Sequence, residues 1–165
     1  MFFKLPFEQR VRDAKRRKVY RAFFVLALLT LLAAFVFSAL PQTVSGQQSA
    51  WLKDFLSRLT GLEWNELLLR KLAHLMEYTL IGLFAGAALI QLDWQLSDAV
   101  RLWVVGLLAA FLDETIQVFS GRGPAILDVW IDVAGVLIGT CLVLLPFGIR
   151  HGKKENESPP LSGQA

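Results

Sequence analysis

Four stretches of the chain are almost wholly apolar: AFFVLALLTLLAAFVFSAL (22–40), LAHLMEYTLIGLFAGAALIQL (72–92), AVRLWVVGLLAAFLDETIQVF (99–119) and ILDVWIDVAGVLIGTCLVLLPFGI (126–149). Each approaches the ~20 residues that cross a hydrocarbon core of about 30 Å as a helix. The connections between the last three are short, so those helices are expected to be antiparallel neighbours. Between the first and second spans, the segment 41–70 is polar at first and then reads WLKDFLSRLTGLEW. There Trp51, Leu52, Phe55, Leu56 and Leu59 recur at helical spacing, the pattern of a short helix lying on the membrane surface. The predicted fold is all-α: a polytopic membrane protein with four transmembrane helices and a short interfacial helix between helices 1 and 2.

Composition agrees. The 165 residues are 55% hydrophobic with a positive mean hydropathy. The first span is longer than the 7–15 apolar residues typical of a cleavable secretion signal, and no clean A-x-A site follows it; it is expected to be retained. Cys141, the single cysteine, lies in the fourth span and can form no intrachain disulfide. The net charge of +3 is concentrated in residues 1–21, where Lys4, Arg10, Arg12, Lys15, Arg16, Arg17, Lys18 and Arg21 outweigh Glu8 and Asp13. Directly before a span, such an arm reads as a positive-inside signal and a contact for anionic lipid rather than a nucleic-acid surface. Four spans return the chain to the same side, and the tail begins RHGKK, so both termini are expected to be cytoplasmic. The predicted organisation is a basic cytoplasmic arm (1–21), a four-helix membrane domain (22–149) and a disordered, Pro/Ser/Gly-bearing tail (150–165).

The polar residues inside the spans are not scattered. By parity, the start of span two, the end of span three and the start of span four share the outer side, and those ends hold the charge. Span two begins with Lys71, His74, Glu77 and Tyr78; span three ends with Asp113, Glu114 and Gln117; span four begins with Asp128 and Asp132; and the connecting loop adds Arg122. Ionisable groups at such depth are costly and mark functional pathways or sites. Lys71, His74 and Tyr78 fall on one stripe that continues to Gly82 and Gly86. Asp128, Asp132, Gly135 and Gly139 do the same on span four, and Gly106, Ala110, Asp113 and Gln117 on span three. Small residues permit close helix approach, so spans two, three and four are expected to pack tightly below a polar cavity that opens outward. Span one carries no charge and is expected to serve as a packing or anchoring helix.

Each residue also has a plainer role. Tyr78 and Gln117 suit interhelical hydrogen bonds, Arg70 suits snorkelling to the headgroups, and Asp128 suits an N-cap. Asp113 shares the Gln117 stripe, whereas Glu114 is turned toward a neighbouring helix. The expected ligand-binding set is Lys71, His74, Glu77, Tyr78, Asp113, Glu114, Gln117, Arg122, Asp128 and Asp132. If the site is catalytic, His74, Glu77, Asp113 and Asp128 are the acid–base candidates. No cofactor is expected and no metal site is assigned: the donor types suit a divalent cation, but Lys71 and Arg122 would oppose one.

Lys71-Leu-Ala-His74-Leu-Met-Glu77-Tyr78, followed by Asp113-Glu114-x-x-Gln117, Gly121-Arg122 and Asp128-x-x-x-Asp132-x-x-Gly135, resembles the VanZ-like family of small membrane proteins over about residues 40 to 147. The family position matching Asp132 is commonly Asn, and that matching Arg70 is often acidic. The resemblance implies a bacterial inner-membrane protein with an outward-facing role in the cell envelope, and its founding member is linked to low-level teicoplanin resistance. The expected function is therefore to bind a lipid headgroup, a cell-wall precursor or an amphiphilic antibiotic such as a glycopeptide. The alternative is an outer-leaflet enzyme acting on a lipid-linked substrate by acid–base or metal-assisted chemistry. Membrane lipids are the expected partners and nucleic acid is excluded; the sequence does not fix the oligomeric state.

Overall fold

The structure is a computed structural model that describes residues 14–92, 94–121 and 125–156. Residues 1–13 of the basic arm, Arg122 and the tail from 157 lie outside the described residues. The chain forms helices α1 (Ala14–Ala39), α2 (Gln42–Thr60), α3 (Glu66–Leu89), α4 (Leu96–Phe119) and α5 (Ile126–Asn156). Among them α1, α3, α4 and the Ile126–Pro146 part of α5 are long and apolar enough to cross a membrane. Their outward faces carry large apolar side chains, among them Leu29, Leu32, Val105, Leu108, Phe111 and Leu142. In water such a surface would be a liability; in lipid it is the required solvent boundary.

Helix boundaries follow local chemistry. The Asn65 side chain accepts a hydrogen bond from the Leu67 amide at 2.8 Å and starts α3. Gln95 and Asp98 form a reciprocal capping box at the start of α4. Gly61, at φ 70°, ends α2, its N–H donating to the Ser57 carbonyl. All four spanning helices are longer than the expected spans, α1 and α5 most: α1 begins at Ala14 and takes in Lys15–Arg21 of the basic arm, and α5 runs on to Asn156, into the segment expected to be tail. The interfacial helix also starts earlier, at Gln42, so the polar stretch QTVSGQQS is helical. Along α2, Trp51, Phe55 and Leu59 form an exposed apolar stripe, with the Trp51 and Phe55 rings stacked 5.7 Å apart.

The bundle order corrects one expectation. Helices α3 and α4 are joined by a short connection yet make only slight contact; α3 packs on α5 and α1, and α4 packs on α5 and α1. The two are therefore diagonal, with α1 and α5 between them. The α3–α5 seam is the tightest. A Cβ placed on Gly82 would collide with the Val136 carbonyl and one on Gly139 with the Thr79 carbonyl. On Gly135 it would come 2.8 Å from the Leu75 carbonyl. The glycines face one another's backbone, as expected of small-residue seams in membranes. Gly106 of α4 completes the packing, where a Cβ would lie 2.9 Å from Val136.

Candidate functional site

At the end of the bundle formed by the C-terminal ends of α1 and α4 and the N-terminal ends of α3 and α5, four helices converge on a buried polar cluster. His74 of α3 is 6% exposed, Asp113 of α4 is 0% exposed and Asp132 of α5 is 1% exposed. His74 Nδ1 lies 3.4 Å from Asp132 Oδ1 and 3.7 Å from Asp113 Oδ2, beyond hydrogen-bond geometry for either. Asp113 Oδ2 accepts hydrogen bonds from Ser38 Oγ at 2.9 Å and from Gln117 Nε2 at 3.0 Å. Gln117 Nε2 is also 3.5 Å from His74 Nε2. The Asp113–Gln117 spacing of one helical turn makes this contact inevitable once both face inward.

Ser38 is the residue that sequence reasoning missed. It brings α1, expected only to pack or anchor, into the site. Ser120 ties the same helix ends together by donating to the Ser38 carbonyl at 3.0 Å. A lone serine near the end of an apolar span is a weak signal, since serine there commonly satisfies its own helix backbone.

The remaining expected site residues separate into distinct places. Tyr78 is fully buried below His74 and donates to the Ala109 carbonyl at 3.4 Å. Lys71 forms an ion pair with Asp128 across the α3–α5 seam, so these two groups compensate one another. Glu114 accepts from the Ala125 backbone amide and fastens the loop leading into α5. Glu77 faces the other way, into a cavity of about 210 Å3 between α1, α2 and α3. Ser45, Ser49 and Leu52 line that cavity from α2, and Arg70, His74 and Glu77 line it from α3. Each trio has the spacing i, i+4, i+7, the mark of one helix face.

Arg70, expected to snorkel, thus points into the cavity. Its Nε is buried without a hydrogen-bond partner, and it has no ion pair among the described residues. Its i, i+4 relation to His74 was the available signal. His74 is the hinge of the arrangement: one edge reaches the cavity, and Nδ1 faces the two buried aspartates. The cavity, lined by both Arg70 and Glu77, sits over the His–Asp–Asp cluster: the guanidinium can engage an anionic group, and the buried acids can hold a cation or a proton.

No curated protein and no solved structure matches the chain. The family described as VanZ/LLP1 matches it over residues 23–147, a stretch that contains every residue of the cluster and of the cavity lining. With its ordered Lys71–Tyr78, Asp113–Gln117 and Asp128–Gly135 motifs all inside that match, the chain belongs to the VanZ/LLP1 family.

Proposed function

We propose that the protein binds the anionic headgroup of a membrane lipid or lipid-linked cell-envelope precursor in the cavity under α2, with Arg70 as the anion contact. The observation that carries this reading is the Arg70 guanidinium, whose Nε is buried in the cavity without a partner. Leaving a buried charged donor unsatisfied costs more than an ordinary lost hydrogen bond, and a phosphate or carboxylate supplies the missing acceptors. The hydroxyls of Ser45 and Ser49 add donors, and Leu52 and Phe37 provide apolar walls suited to the start of an acyl or prenyl chain.

In this reading the positive residues at the start of α1 keep the termini in the cytoplasm, and the cavity opens to the outer leaflet of a bacterial inner membrane. Glycopeptide resistance, by resemblance to the founding VanZ-like protein, then follows from occupying or shielding a lipid-linked precursor. The test is a mass-spectrometric inventory of lipids co-purifying with the wild type and with Arg70→Gln. An anionic lipid enriched in the wild type and lost from a folded Arg70→Gln variant is expected; identical inventories reject the proposal.

A second reading, an enzyme of the outer leaflet, is favoured by His74 touching both the cavity and the buried acids. It requires turnover of a lipid-linked phosphate by purified protein, lost on His74→Ala.

A further inference from the structure

We infer that His74, Asp113 and Asp132 form a binding site for a divalent transition-metal ion at the floor of the cavity. The site stands on its own geometry, whether or not the cavity takes a lipid. One donor atom from each of the three residues lies within 4.8 Å of the other two, and all three residues are more than nine-tenths buried. His74 Nδ1 and Asp132 Oδ1 point at one another across 3.4 Å, and neither has a hydrogen-bond partner. The angles at that spacing are not those of a hydrogen bond. An ion held at ~2.1 Å by its ligands sets neighbouring donor atoms ~3.0 Å apart in octahedral and ~3.4 Å apart in tetrahedral geometry. The observed 3.4 and 3.7 Å separations around His74 Nδ1 are close to that range, and the two aspartates, within 4.8 Å of one another, close on the ion as it binds.

Charge favours the same occupant. Asp132 has no Lys or Arg within ion-pair distance among the described residues, and an ionised carboxylate at its depth requires compensation. Of the two bases expected to oppose a cation, Lys71 is engaged by Asp128 instead, and Arg122 lies outside the described residues. Around the cluster, Ser38 and Gln117 donate to Asp113 Oδ2 and so fix the carboxylate, as outer partners do in metal sites. A mixed nitrogen–oxygen donor set with one imidazole suits manganese, iron or zinc better than calcium or magnesium. His74 lines the cavity, which gives the ion its route in.

The experiment uses full-length protein purified in detergent, stripped with chelator and titrated with Mn2+, followed by its electron paramagnetic resonance. A single saturable ion per chain is expected, with echo modulation from a directly bound imidazole nitrogen and displacement by Zn2+. Asp132→Asn should weaken binding by about tenfold or more, and His74→Gln should remove the nitrogen modulation. Absence of saturable binding by the wild type, or saturable binding without nitrogen modulation, overturns the inference and leaves a proton on His74 as the cluster's cation. Should Asp132→Asn fail to fold, the wild-type nitrogen signal decides by itself.

Discussion

Arg70 and Lys71 are adjacent in sequence and opposite in role. A helix turns about 100° per residue, so one base looks into the cavity and the other across the α3–α5 seam to Asp128. The Lys71 side chain is 32% exposed, so the pair is worth only about 0.5–1 kcal/mol in a double-mutant cycle with Asp128. Lys71→Ala is expected to lower stability by that order in detergent unfolding while leaving ligand retention intact; a loss of ligand with no loss of stability would place Lys71 in the site after all. Ser38→Ala removes a buried donor to Asp113, at an expected cost of ~1–2 kcal/mol, measurable as a lowered Tm. At this scale the sequence disclosed which residues are polar and deep; it placed Asp113 and Gln117 on one stripe, where they hydrogen-bond, and gave Tyr78 an interhelical bond. It did not disclose Ser38 or the turn of Arg70, because one polar atom near a helix end is satisfied in many ways and only the neighbouring helix selects among them.

Between elements, the decisive contact is glycine against backbone. Because a Cβ at Gly139 or Gly82 would run into a carbonyl of the facing helix, neither Gly139→Ala nor Gly82→Ala can be accommodated by rotating a side chain. Both are expected to separate α3 from α5 and to lower the yield of monodisperse protein sharply. Gly46→Ala, in α2 with open space around its Cα, serves as the control and should be neutral or slightly stabilising through helix propensity. Size-exclusion profiles of the three variants check this; a well-behaved Gly139→Ala protein would refute the seam. The stripes of Gly82/Gly86 and Gly135/Gly139 were legible from spacing alone. The diagonal placement of α3 and α4 was not, since short connections constrain which helix ends meet but leave α1 free to enter between them.

For the whole molecule, the four crossing helices and the exposed apolar flanks were written in hydropathy. Which end faces outward rests on the basic residues at the start of α1. With Cys141 replaced by Ala, a cysteine at Glu63, exposed in the loop after α2, should react with an impermeant thiol reagent from outside intact cells, whereas one at Lys15 should react only after lysis. The reverse pattern would turn the cavity toward the cytoplasm and remove the envelope role.

The diagonal bundle has a consequence for how the protein is made. Helices emerge from synthesis in order, and α3 and α4 enter as a hairpin whose members scarcely touch. The third member of the His74 cluster and the backbone that faces Gly82 both arrive with α5, the last of the described helices. Until then, His74 and Asp113 are a basic and an acidic group at membrane depth without Asp132, the member that α5 brings. A chain cut short before Asp132 therefore presents raw polar surface within the bilayer, the kind of defect that membrane quality-control proteases recognise. Completion of the site therefore waits on α5.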